Sequence, residues 1–174
     1  MRNPLRWAEE RPAASLALLV AAAFSLRLAF AFWTGPLPPV LSDAQYYDAV
    51  ARSLVSGAGY SVGIDGSGFT PGGSPTAFFP PGYPFFLAGV YRLFGHSLDA
   101  ARVANCAAAA LSIVPVYLAG HRLFGRREGL LAAGGTAVSP SLVYWTPVLV
   151  SESLFLLPFL LAVALMLAVG PGGG

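Results

Sequence analysis

The sequence predicts an all-α, polytopic transmembrane helical bundle of about four spans, with an extracytoplasmic loop that carries short interfacial helices. Three observations carry that expectation. Of the 174 residues, 56% are hydrophobic and only 10% charged, where a soluble domain carries about 25% charged residues. Four apolar stretches approach the length of about 20 residues that a helix needs to cross a hydrocarbon core. The arginines cluster at the ends of those stretches in a pattern that assigns one side of the membrane to each group.

The first stretch covers 13–33. Within it Ala29-Phe30-Ala31 resembles a small-x-small signal-peptidase site, although Arg27 sits awkwardly for one. The other expected spans are 98–120, 129–145 and 153–169. Arg2, Arg6 and Arg11 precede the first, and Arg122, Arg126 and Arg127 lie between the second and third. The positive-inside rule places both groups, and the N-terminus, in the cytoplasm. Residues 34–97 then lie outside, as does the short turn before Glu152. A fifth span within 78–95 is the competing topology; it would carry the Arg122 cluster outside, against the charge rule.

The outer loop has its own order. After Pro36, Pro38 and Pro39, Ser42-Asp43-Ala44-Gln45 fits a capping box. It predicts a short helix from 43 to about 55. Asp48 and Arg52 can pair along it at i, i+4. Asp43, Tyr47, Val50 and Leu54 share one face. The Gly/Ser/Pro-rich stretch that follows, to Pro75, reads as mobile. An apolar helix then ends near Phe94-Gly95; with Arg92 in it, it is too short to span and reads as interfacial or re-entrant.

Other features exclude whole classes of function. A net charge of +2 is too small to suggest a nucleic-acid partner. The single Cys106 excludes an intramolecular disulfide. No His/Asp cluster stands at ligand spacing, so no cofactor is evident and a divalent metal is unsupported. His96 and His121 read as surface residues at span ends.

An ordered series of motifs is similar to the N-terminal part of GT-C membrane glycosyltransferases. It begins with Ser42-Asp43, Tyr46-Tyr47, Ala51 and Leu54, followed by Gly57-x-Gly59-Tyr60. Phe79-Pro80-Pro81-Gly82-Tyr83-Pro84 and Tyr91-x-Leu93-Phe94-Gly95 come next. Leu123-Phe124-Gly125-Arg126-Arg127, Ser139-Pro140-x-Leu142-x-Tyr144-Trp145 and Ser151-Glu152 complete it. By pattern the nearest group is the bacterial protein O-mannosyltransferase-like one, with the lipid A aminoarabinose transferases.

The resemblance implies a bacterial inner-membrane enzyme that moves a sugar from a polyprenyl-phosphate donor to a lipid, glycan or protein hydroxyl at the outer face. It implies membrane lipid as a partner. Members of this fold usually have more spans, so it also implies that the chain, 1–174, is one module to which a C-terminal part of the same enzyme belongs. In such enzymes an Asp of the first outer loop is the catalytic carboxylate, a position that Asp43 occupies. A positioned carboxylate can take the proton of an attacking hydroxyl.

Glu152, at the edge of the last span, is a second catalytic candidate. It would orient the acceptor, bind a metal or hold the outer helix; as an ordinary helix-start acid it would simply be solvated. Arg27, inside the first span, must face the bundle or a wet cavity, and a lipid-linked phosphate is an apt partner for it. Snorkelling to the headgroups is its plainer role. Arg102 is a second phosphate candidate, with pairing to Asp99 as the plainer role. Tyr46, Tyr47 and Tyr83 offer rings for sugar stacking or a lipid groove, or else packing at the interface belt. The rival to an enzyme is a non-catalytic polytopic protein, a transporter or lipid-binding scaffold. Transport favours polar residues at mid-membrane and broken helices in repeated halves. These spans are Ala/Leu-rich, and their charges gather toward one side.

Overall fold

The computed structural model describes residues 10–35 and 42–169, with the backbone alone at Ser42. In chain order its elements are α1 (Pro12–Thr34), α2 (Ser42–Ser56), β1 (Ser61–Asp65), β2 (Gly68–Pro71), β3 (Ser74–Pro75), α3 (Gly82–Phe94), α4 (Leu98–Leu111), α5 (Ile113–Phe124), α6 (Arg126–Val138), α7 (Pro140–Trp145) and α8 (Glu152–Val169).

Among the described residues, three helical stretches are long and apolar enough to cross a membrane: Pro12–Thr34, Leu98–Phe124 and Glu152–Val169. The second joins α4 to α5 through a bend at Ser112. Pro115 has no N–H to offer the Leu111 carbonyl. The next bond, Val116 N to Ser112 O, is stretched to 3.5 Å.

The third expected span, 129–145, is not one helix. It breaks at Ser139, whose φ of −56° and ψ of 117° leave the helical region, because Pro140 crowds the residue before it. The two pieces still carry the chain from the Arg126 end of the bundle to the opposite end, where Trp145 lies in one cavity wall with Asp43.

The stretch to Pro75, read from composition as mobile, is instead a three-stranded antiparallel sheet in the order β2-β1-β3. Its register pairs Val62 with Pro71 and Asp65 with Gly68. Asp65 Oδ1 closes the turn by accepting Ser67 N at 2.7 Å and Ser67 Oγ at 2.6 Å. At Gly73 (φ +90°) a Cβ would sit 2.7 Å from Val62 O, so the strands can approach only with glycine there. Gly72 N donates to Ser53 Oγ at 2.7 Å, which ties the sheet to α2. The sequence reading missed this because the signals that hold the strands are glycines and short polar turns, the residues that also make linkers.

The 13-residue α3 rises only about 20 Å, too little to span, in line with the interfacial reading. Two cores result. The outer one gathers Tyr46, Tyr47 and Val50 of α2, Tyr83, Leu87 and Tyr91 of α3, Ala101 of α4 and Leu149. The inner one packs Ala23 against Ala110, Ile113, Tyr117, Ala133 and Ala137. Small residues let helix backbones approach closely where lipid gives no hydrophobic drive. At the α5–α6 hairpin a Cβ on Gly129 would meet His121 N at 2.7 Å and Tyr117 O at 2.8 Å.

Candidate functional site

A cavity of about 310 Å³ opens at the end of the bundle where α1 finishes and α8 begins. Its wall includes Arg27, Asp43, Ser112, Trp145, Thr146 and Glu152. Asp43 stands in the first turn of α2 and Glu152 opens α8. Both carboxylates therefore sit at helix N-termini, where the aligned peptide dipoles favour negative charge. Ala109, Leu142, Val150 and Leu156 supply apolar wall, so a carboxylate-bearing rim continues into an apolar interior.

Arg27 is fully buried. It lies seven residues before the end of α1, about 10 Å along the axis. Its Nη1 donates to Ala137 O at 2.8 Å and Ala23 O at 3.2 Å, and its Nη2 to Thr136 O at 3.2 Å. The Thr136 carbonyl would ordinarily receive the N–H of residue 140, which is proline. The break in α6 thus creates the acceptors that hold Arg27 in the cavity wall. Among the described residues its Nε has no hydrogen-bond partner.

Arg102 is buried but is not part of the cavity wall. It donates to the carbonyls of Ala31 and Gly35 and pairs with Asp99 at 3.3 Å. Its place is at the C-terminus of α1, so the expected pair of cations around one cleft reduces to Arg27.

The three tyrosines also stand back from the cavity. Tyr46 and Tyr47 meet Phe79 at ring distances of 5.1 and 5.2 Å, and Tyr47 meets Tyr83 at 5.0 Å. All three rings are buried, so they form the packing behind the wall. Their hydroxyls are engaged: Tyr46 with Thr76 Oγ1 at 2.9 Å, Tyr47 donating to Ser151 Oγ at 3.4 Å, and Tyr83 beside Asn105. Burial is the main cause that pushes the Tyr83 phenol pKa up. The Asn105 bond opposes it, and the charges of Tyr47 and Glu152 add to it.

A second polar cluster lies outside the cavity. Asp48 accepts from Tyr91 Oη at 2.6 Å, meets His96 Nε2 at 2.9 Å and pairs with Arg52 at 3.8 Å. The Asp48–Arg52 pair is the one the helix spacing predicts. His96, read as a plain surface residue, joins α2 to the turn before α4. Among the described residues, no three of His, Cys, Asp and Glu are grouped so as to hold a metal.

Sequence reasoning did not single out Ser112, Trp145, Thr146 or Ser153 as cavity residues. Trp145 was visible inside a motif; its position across from Asp43 was not.

A family model described as dolichyl-phosphate-mannose-protein mannosyltransferase matches residues 79–170. No curated protein and no solved structure matches the chain. The matched segment runs from just before α3 through α8. It includes Glu152 and the whole of the α4–α8 wall, while Asp43 and Arg27 precede it. It covers more than half of the chain, and its helices are those of a membrane bundle. The chain therefore belongs to the dolichyl-phosphate-mannose-protein mannosyltransferase family, membrane glycosyltransferases of the GT-C type.

Proposed function

We propose that this glycosyltransferase takes its sugar from a polyprenyl-phosphate donor and that Asp43 is its catalytic base. The observation that carries the reading is the meeting of Asp43, Glu152 and Arg27, from three helices, in the wall of one cavity. An acceptor hydroxyl oxygen attacks the anomeric carbon as the bond to the lipid phosphate breaks. The proton passes to the Asp43 carboxylate, and polyprenyl phosphate leaves with the bonding electrons. Attack from the face opposite the phosphate inverts the anomeric configuration. Glu152 orients the acceptor from the other side of the rim. The guanidinium of Arg27 faces the phosphate, which gains a negative charge as it leaves, passing from a singly charged diester to a doubly charged monoester. A fixed cation there favours the transition state. The apolar wall below fits the first isoprene units. The acceptor is a hydroxyl of a lipid, glycan or protein.

The site opens on the outer face of a bacterial inner membrane, with the N-terminus of α1 in the cytoplasm. What supports this orientation is the gathering of Arg11, Arg122, Arg126 and Arg127 at the end of the bundle away from Asp43. The reading is tested with purified protein and a synthetic polyprenyl-phosphate mannose. Asp43→Asn should lower transfer by about 10²- to 10⁴-fold, the usual worth of a positioned base. Transfer at the unaltered rate would remove Asp43 from the chemistry.

A further inference from the structure

We propose that Asn105 is a positioning residue that fixes Glu152 opposite Asp43, a role that rests on the proposed work of those two carboxylates. Glu152 does not stand on a preformed rod. It follows the non-helical segment 146–151, which joins α7 to α8. Such a segment at the membrane edge carries backbone groups that no helix satisfies, and each needs a partner.

Asn105 supplies one. Fully buried in α4, it donates from Nδ2 to Val148 O at 3.0 Å. The same amide is locked from behind: the Tyr83 hydroxyl lies 2.9 Å from Nδ2 and 3.1 Å from Oδ1. Tyr83 in turn packs edge-on against Tyr47, which donates to Ser151 Oγ. Tyr47 stands one helical turn after Asp43 on α2. The segment before Glu152 is thus gripped from α4 at Val148 and from α2 at Ser151, while Leu149 between them is buried in the outer core. One network links the two carboxylate-bearing helices, and Asn105 is its buried centre. Val148 O also accepts Val150 N at 2.9 Å, a bond within the segment itself, so removing the Asn105 donor cuts the tie to α4 at this carbonyl and frees the turn.

The test uses the full chain with Cys106→Ala as background, which removes the native thiol. Glu152→Cys then reports the position of residue 152 through its rate of labelling by a charged methanethiosulfonate in detergent. Phe124→Cys, exposed at the far end of the bundle, is the control. Asn105→Asp, which keeps the shape but exchanges the Nδ2 donor for an acceptor, should change the rate at residue 152 several-fold and leave residue 124 unchanged. Tyr83→Phe, the milder change, should move residue 152 in the same direction by less. An unchanged rate at residue 152 in both variants overturns the inference, as does an equal change at residue 124, which marks general loosening. With Glu152 intact, Asn105→Asp should lower kcat for transfer from polyprenyl-phosphate mannose by about tenfold with KM little altered. A raised KM with unaltered kcat would overturn it. Labelling needs no substrate, so an unchanged rate counts against Asn105 even if Asp43→Asn abolishes transfer. A changed rate upholds the Asn105 grip even if Asp43→Asn does not.

Discussion

Arginine does the same physical job at three helix ends. Arg27 donates to the last carbonyls of α6, Arg102 to those of α1, and Arg122 to Leu167 O and Ala168 O of α8. The final carbonyls of a helix have no intrahelical donor, and lipid offers none. A guanidinium supplies several N–H groups and a charge that the negative end of the helix favours. Arg27→Met should therefore destabilise the bundle by about 1.5–3 kcal/mol for each charged hydrogen bond lost. Thermal unfolding in detergent measures this; a melting temperature equal to the parent's would refute the capping account. The tyrosines give a second residue-scale test. Burial pushes the Tyr60 phenol up to about 12 and pushes Tyr83 and Tyr91 up as well, with the Asp48 hydrogen bond adding to Tyr91. The folded state then holds these protons past the pH at which unfolded phenols ionise. The stability they add is complete below about pH 10 and is lost as pH rises through the folded values. In an alkaline titration followed by phenolate absorbance, the Tyr60, Tyr83 and Tyr91 phenols should ionise late and together with loss of helical circular dichroism. Ionisation of these three near pH 10 in a still-folded protein would contradict the burial.

Elements pair here through backbone proximity more than through bulk. The α5–α6 hairpin closes at Gly120 and Gly129, where the Gly129 Cα would lie 2.9 Å from a Cβ on Gly120. Backbone on both sides leaves nothing that can swing away. Gly129→Ala should cost about 1–3 kcal/mol, the usual effect of overpacking. Gly134 and Gly135, in the same helix α6, have open space where a Cβ would go. Alanine there should leave stability unchanged or raise it by up to about 1 kcal/mol. The contrast is read from melting temperatures of the three variants, and equal losses at all three would mean that helix propensity, not contact, sets the effect. The break between α6 and α7 is the other decisive element feature. It turns Trp145 and Thr146 toward the Asp43 end and leaves carbonyls free for Arg27.

At the scale of the molecule, the bundle has two unlike ends. One carries the arginines that follow α5 and the C-terminus of α8, which Arg122 holds. The other carries the sheet, α2, α3 and the cavity. In the proposed orientation, Ser67→Cys in the β1–β2 turn of a Cys106→Ala protein should be labelled in intact cells by a membrane-impermeant maleimide. Arg127→Cys should be labelled only after the membrane is opened. The reverse pattern would place the cavity in the cytosol and end the proposal of an outer-face transferase.

The amino-acid order by itself determined the membrane class, the helix α2 with its Asp48–Arg52 pair, the short α3 and the nomination of Asp43, Glu152 and Arg27. All but the two carboxylates follow from local quantities: apolar length, helical spacing, and the cost of charge in lipid. Asp43 is nominated by the motif resemblance and Glu152 by its place at the edge of the last span. Tertiary structure decided the rest. It turned a glycine-rich stretch into a sheet, because strand pairing depends on partners that composition does not name. It broke the expected third span at Pro140, which frees carbonyls that Arg27, 109 residues away in sequence from Thr136, satisfies. It sent Arg102 to the end of α1 and the tyrosines into the outer core, and it brought residues 27, 43 and 152 to one cavity. Such convergence depends on how helices cross, and crossing is fixed by close approaches at small residues that no local window reveals.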